Sequence, residues 1–259
     1  MQTQITVVEK ETIASAWWRM IIAAPELASR LIPGQFLLVR CADLFSCYLR
    51  RPIFPTSLGD EHIALLIRPQ ADPGLAWLSA RQPGDELDVI GPLGRGFPLA
   101  DHLRNLLLVA DGPAIDPLLG VMTMAMEAGV AVTLALGGSR AAALFPVNRL
   151  PSAVEVQFAT RDGSLGHRGS VTDLLPDLLR WADAVYTVGS TRLYLALKDR
   201  VRAIRLAGDA DFLYGLVAHT LLPCGVGTCL ACTVPASDGS KLICVDGPVF
   251  DLMALDLGI

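Results

Sequence analysis

The chain has no uninterrupted apolar run long enough to cross a bilayer, which takes about 18 residues. Yet 52% of its 259 residues are hydrophobic and its mean hydropathy is +0.46, so the surplus apolar surface points to a partner chain. A basic stripe is also missing: Lys and Arg total 21 against 26 Asp and Glu, for a net charge of -5. Nucleic acid is therefore a poor fit. Histidine is scarce, and His62, His102, His167 and His219 have no spacing that would set two of them on one metal. They read as surface or capping residues. The opening stretch MQTQITVVEKETIASAWWRM has an early Glu-Lys-Glu and no apolar core ahead of a small-residue cleavage site. The expectation is a cytosolic, reducing location, where clustered cysteines bind metal in preference to forming disulfides. Internal repeats and low-complexity tracts are absent too.

What is present has three textures. From residue 3 to about 98 the runs ITVVEKE, WWRMIIAA, GQFLLVRC, HIALLIRP and DELDVIG are separated by turn signals such as IPGQ, SLGDE and QPGDE. Short strands at this spacing predict an antiparallel barrel or sandwich. Beyond Pro98, apolar runs alternate with helical stretches: NLLLVAD, PLLGVMTMAMEAG, VAVTLALGG, VEVQFATRDG, VTDLLPDLLRW, AVYTVGS and TRLYLALKDRVRAI. That alternation predicts a parallel sheet covered on both faces. Met122, Met124 and Met126 read as packing residues of its first helix. From about Asp209, FLYGLVAHTLLP leads into a small third module. The expected domains are 1–100, 101–213 and 214–259, with the first boundary near 98 to 104.

Four of the six cysteines lie in the third module, as Cys224-x4-Cys229-x2-Cys232 and then, after eleven residues, Cys244. Gly225, Gly227, Thr228 and Ala231 are small, as a backbone wrapped closely around an inorganic core requires. The spacing is that of a plant-type [2Fe-2S] centre, for which four thiolates are the full complement. Structural zinc also takes four thiolates, although zinc ribbons favour two separated C-x2-C knuckles. Cys41 and Cys47 read as buried thiols of the first domain.

The chain resembles the electron-transfer subunit of class 1B dihydroorotate dehydrogenase, within the ferredoxin-reductase-like superfamily. GQFLLVR (34–40), RRPI (50–53), PGDELDVIGPLGRGFPL (83–99), DGSLGHRGSVTDLL (162–175), CGVGTCLAC (224–232) and CVDGPVF (244–250) carry the likeness. The resemblance implies an N-terminal flavin-type β barrel that binds FAD, a central nucleotide-binding-like α/β domain that binds NAD, and a C-terminal [2Fe-2S] module. It implies electron transfer between the FMN of a partner flavoprotein catalytic subunit and NAD+, in a hetero-oligomer of pyrimidine synthesis. Carried over by position, Arg51, Pro52, Ile53, Phe54, Ile67, Arg68, Gly74 and Leu75 fall at the FAD site, and Cys224, Cys229, Cys232 and Cys244 at the cluster.

Several motifs depart from the family pattern. RPxS becomes Arg51-Pro52-Ile53-Phe54, an aromatic ring in place of a hydroxyl. GxGT becomes Asp72-Pro73-Gly74-Leu75, placing a carboxylate where a diphosphate would approach, and like-charge repulsion would weaken binding. GGGIG-x-x-P becomes Asp111-Gly112-Pro113-Ala114-Ile115-Asp116-x-Leu118, where Pro113 has no amide to offer and two carboxylates add negative charge. CGP becomes Val188-Gly189-Ser190, and the acidic residue expected before the cluster is missing from AHTLLPCG. Asp162-Gly163-Ser164 stays open between a ribose contact and a plain turn. Two redox readings follow: a subunit keeping FAD, and an iron-sulfur wire or structural partner that has lost FAD and NAD. A zinc-stabilised binding module is the third.

Overall fold

The computed structural model describes residues 1–14, 17–42, 47–68, 72–113, 115–204, 212–218 and 222–258. His219 and Ala114 lie outside them.

The N-terminal half is a barrel-like antiparallel sheet of seven strands: β1 (Gln2–Ala14), β2 (Trp17–Ala23), β3 (Phe36–Val39), β4 (Arg51–Ile53), β5 (Pro55–Leu58), β6 (His62–Ile67) and β7 (Glu86–Leu93). Their order is β4-β3-β7-β1-β2-β6-β5. Period-two alternation sends Ile5, Val7, Met20, Ile22, Ile63, Leu65, Leu87 and Val89 into one core,. Cys41 and Cys47 lie in that core as well, and burial pushes the Cys41 thiol up to about 12. Two short helices, α1 (Pro25–Ala28) and α2 (Pro73–Ser79), join the strands. Asp72 caps α2, its Oδ1 accepting the Leu75 N–H at 2.9 Å, with Pro73 in the first turn,.

Asp88 ties three strands of the barrel together. Its carboxylate accepts from Arg50 Nη2 at 2.8 Å and from Gln2 Nε2 at 3.0 Å. Burial would raise its pKa, but these donors and the Arg50 and Arg40 charges hold it below the usual carboxylate range. The folded pKa lies under the unfolded one, so the stabilisation is present above roughly pH 4 and is lost as pH falls through the folded value. Asp88→Asn is expected to lower stability by about 1.5–3 kcal/mol at pH 7. It should cost progressively less below pH 4, as read by urea denaturation at both pH values.

The second sheet is built from β8 (Asn105–Asp111), β9 (Ala131–Gly138), β10 (Glu155–Thr160), β11 (His167–Arg168), β12 (Ala184–Val188), β13 (Leu213–Leu216) and, after the hairpin β14 (Thr233–Ala236) and β15 (Gly239–Leu242), β16 (Val249–Asp251). The order is β11-β10-β9-β8-β12-β13-β16, and all neighbours are parallel except β13 and β16. Helices α3 (Asp116–Glu127), α4 (Leu175–Trp181) and α5 (Thr191–Ile204) cover it. Leu106, Leu108 and Ala110 face one core with Met122, while Leu107 and Val109 face the other with Tyr194 and Leu197. The sheet runs past residue 213, drawing β13 and β16 from the C-terminal segment. The cysteine loop and its hairpin are thus an excursion between two strands of this sheet.

The barrel docks against α3 and the C-terminal ends of the parallel strands. Gly120 of α3 sits where a Cβ would come within 3.4 Å of Pro33 and 3.6 Å of the Pro55 carbonyl, so the helix approaches the barrel closely. Phe97 stacks on Tyr186 at 4.9 Å, the Tyr186 hydroxyl donates to the Pro98 carbonyl, and Arg149 pairs with Glu11 at 2.6 Å. No helix among the described residues is long and apolar enough to cross a membrane.

Candidate functional site: a four-thiol loop beside an inter-domain cleft

The cysteine loop is pressed onto the barrel. Gly225 and Gly227 have φ of +71° and +80°, where a side chain is strained. A Cβ on Gly225 would also meet Leu38 and Leu93 at 2.7 Å. Cys232 and Cys244 are buried, Cys224 is half-buried and Cys229 is exposed. The sulfurs of Cys232 and Cys244 are 3.4 Å apart. Cys229 acts on Cys224, and Cys224 and Cys232 both act on Cys244, so the loop brings the four thiols within reach of one another.

Four thiols in one loop are the full complement of a diiron core and also of a structural zinc. The C-x4-C-x2-C spacing is that of the diiron type, whereas zinc ribbons favour two separated C-x2-C knuckles. The backbone also points donors at sulfur: the Gly227 N–H donates to Cys244 Sγ at 3.2 Å. Burial raises the Cys224 thiol, but the Cys229, Val226 and Thr228 amides and the Cys229 thiol bring it down to about 6. The lowering favours the thiolate, the form that binds metal. Cys244 is pushed up to about 12 by burial and by its proximity to Cys232, a state that metal charge would reverse.

The second site is a cavity of about 350 Å3 between barrel and α/β sheet. Pro52, Ile53, Phe54, Arg68 and Leu75 line it, so five of the eight residues placed at the FAD site by resemblance come together there. Arg51, Ile67 and Gly74 do not. Ile67 points into the barrel core, because on β6 alternate residues share a face and Leu66 and Arg68 take the cavity side,. Arg51 turns away to Asp72, with Nε 2.9 Å from both carboxylate oxygens. Gly74 lies against Arg51, where a Cβ would be 3.0 Å from Nε.

The same cavity gathers residues that the sequence assigned to the nicotinamide side: Asp111, Asp116, Val188 and Gly189. Leu66, Pro117, Leu216 and Ala218 also line it and had not been singled out. The alternation along β6 is the signal that would have found Leu66. Asp116 pairs with Arg68 at 3.2 Å across the domain junction, and Arg68 lies over the Trp17 ring at 4.8 Å. Asp116 Oδ1 and Arg68 Nε are buried without hydrogen-bond partners. Burial raises the Asp116 carboxyl despite the Arg68 charge. Asp111 pairs with Arg161 at 3.2 Å. Beyond it a separate cavity of about 380 Å3 is lined by Ser190 and Arg192 among others. Asp162 is engaged within its own turn, accepting from the Ser164 hydroxyl at 2.6 Å and the Ser164 N–H at 3.0 Å. That favours the plain-turn reading over the ribose contact.

Cavity and loop are linked by packing. Phe54 stands 5.9 Å from Phe36, and Phe36 shares a core with Leu38, Leu93, Cys232, Ile243 and Cys244. A barrel against a parallel α/β sheet, a cavity at their junction and a four-thiol loop beside it define a protein of the ferredoxin-reductase-like fold with an added cysteine module. A solved structure of the NADH-dependent reduced ferredoxin-NADP oxidoreductase, studied for flavin-based electron bifurcation, superimposes with a TM-score of 0.81. It is 26% identical over 98% of this chain and 90% of its own.

Residues 219–256 match the model of the iron-sulfur cluster binding domain of dihydroorotate dehydrogenase B. The electron transfer subunit of dihydroorotate dehydrogenase B (NAD(+)) from Geobacillus thermodenitrificans is 34% identical over 95% of both chains, and that from Shouchella clausii 33% over 96%. The chain belongs to the family of dihydroorotate dehydrogenase B electron transfer subunits. Family and fold together support a [2Fe-2S] cluster and FAD as its cofactors.

Proposed function

We propose that this chain passes electrons between a [2Fe-2S] cluster on Cys224, Cys229, Cys232 and Cys244, a flavin seated in the inter-domain cavity, and a flavoprotein catalytic subunit of the dihydroorotate dehydrogenase kind. A bound cluster supplies single-electron chemistry and a bound flavin couples it to two-electron chemistry. Pro52, Ile53, Phe54, Leu66 and Leu75 give the cavity apolar walls for a flat ring. Close packing of Gly225 on Leu38 and Leu93 seats the cysteine loop on the barrel, and the Phe54–Phe36 pair fills apolar space between the two sites.

The observation that carries this reading is the gathering of four thiols within a loop whose positive-φ glycines and sulfur-directed amide suit a sulfur-rich core. Support for a partner comes from Val226, Leu230 and Val245, which are 60%, 63% and 44% exposed beside the exposed Cys229. An apolar rim around a redox centre suits docking of a second subunit in a hetero-oligomer. The domain division 1–100, 101–213 and 214–259 is kept as a functional one: flavin, nucleotide-type and cluster segments. A cytoplasmic location is part of the same reading.

A second reading, an iron-sulfur wire without nicotinamide exchange, draws on Asp111, Pro113 and Asp116 in the nucleotide turn. Anaerobic purification with iron, sulfide and flavin quantification, and identification of any co-eluting chain, tests the first reading. The expected result is about two irons and two sulfides per chain together with flavin. Full iron without flavin would remove the flavin from it, and one zinc without sulfide would remove the cluster. Rapid bleaching of the visible spectrum by NADH would eliminate the second reading.

A further inference from the structure

Three arginines face or flank the inter-domain cleft, and each is held by an aspartate: Arg51 by Asp72, Arg68 by Asp116 and Arg161 by Asp111, at 2.9 to 3.2 Å. Asp72 caps α2, Asp116 opens α3 and Asp111 ends β8, at positions where close backbone approach to a phosphate would call for glycine or a hydroxyl. These three cations are therefore neutralised from within the chain.

The Arg51–Asp72 pair is the tightest of the three and sits just off the cavity, between Pro52 and Leu75, which line it. Both Asp72 oxygens take Arg51 Nε, Oδ1 also takes the Leu75 N–H, and Arg51 Nη1 donates to the Leu49 carbonyl. Burial alone would raise Asp72, but the Leu75 amide and Arg51 hold it below the usual carboxylate range. The carboxylate is therefore charged at neutral pH. An incoming diphosphate must displace it from the guanidinium while sitting next to its charge.

We propose that Asp72 is a built-in competitor for Arg51, so that the chain holds flavin by its ring, gains little from the dinucleotide tail, and exchanges its flavin with solution. This rests on the reading of the cavity as a flavin site. The discriminating quantity is the ratio of affinities for FAD and riboflavin, which share the ring and differ in the tail.

Quenching of flavin fluorescence by the full-length, cluster-loaded chain, stripped of flavin, measures both. FAD is expected to bind wild type within about tenfold of riboflavin. Asp72→Asn keeps a side-chain acceptor for the α2 cap while removing the charge. It should tighten FAD at least tenfold and leave riboflavin unchanged. Asp72→Ser, another capping residue, should do the same if the asparagine variant folds poorly. Adding Arg51→Gln to either should abolish the gain. Wild type preferring FAD over riboflavin by a hundredfold or more, or Asp72 variants with unchanged FAD affinity, would overturn the proposal and leave the flavin reading standing. Binding of neither FAD nor riboflavin to any variant, with iron intact, would overturn both.

Discussion

Cys232→Ser is expected to reduce bound iron from about two atoms per chain to near zero and to abolish the visible absorbance. Cys232 is 1% exposed, its sulfur is 3.4 Å from Cys244 Sγ, and it is packed with Val234 and Ile243. A hydroxyl there is a weaker, rarely ionised ligand, and the buried partner thiol of Cys244 is left without a paired site. Because metal binding adds to folding free energy, the variant should also melt at lower temperature than the loaded wild type. Cys41→Ser and Cys47→Ser are the controls. Both residues belong to the barrel core, so iron should be retained while stability falls modestly. Iron and acid-labile sulfide assays, with paramagnetic resonance after dithionite, read the outcome. Full iron in Cys232→Ser would sink the ligand assignment.

The parallel sheet was legible in the chain because its strands are buried on both faces and its helices carry a 3.6-residue period. NLLLVAD, VAVTLALGG and AVYTVGS coincide with β8, β9 and β12 to within two residues at either end,. The barrel strands β4 and β5 were not read as strands. Both lie at the edges of the sheet and carry Pro52 and Pro55. Proline is tolerated in a sheet mainly at such edges, so it reads as punctuation where a short edge strand exists. α2 was not read as a helix, because Asp72-Pro73-Gly74-Leu75 was matched only to a nucleotide motif, although an aspartate before a proline is a helix-start signal,. FLYGL was placed with the third module because its partner β16 lies more than thirty residues on, beyond the cysteine loop.

At the site, the cluster loop was readable because its four thiols are close in sequence and their spacing has a chemical meaning. The ion pairs of the cleft were not, since Arg51–Asp72, Arg68–Asp116 and Arg161–Asp111 span 21, 48 and 50 residues. Asp72 was expected to repel a diphosphate as a free charge. It is instead engaged by Arg51, so a diphosphate must both compete with it for the guanidinium and meet its charge. Only the fold brings those partners together, and it does so by setting the end of β6 and the start of α3 on opposite sides of one cavity.

The second large effect is expected from Gly94→Ala, at the contact between the barrel and the segment that follows Cys244. Gly94 has φ +74°, and a Cβ there would stand 2.5 Å from the Gly247 carbonyl oxygen, 2.6 Å from Pro248 Cδ and 3.1 Å from the Phe36 ring. The backbone strain costs about 1–2 kcal/mol, and overpacking adds about 1–3 kcal/mol. Neither obstacle is a flexible side-chain end: one is backbone and another a proline ring. The simplest relief is to lift residues 247–248 from the barrel, which breaks the Arg95 N–H bond to the Gly247 carbonyl and shifts Cys244 three residues away. Gly94→Ala should therefore lower stability by about 2–5 kcal/mol and make cluster loading partial, although it changes no ligand. Gly84→Ala is the matched control, since Gly84 also has positive φ, at +94°, but a Cβ there meets nothing within 4 Å. It should show the backbone cost alone and load fully, and iron per chain in the two variants, compared at equal folded fraction, separates strain from displacement of the cluster segment.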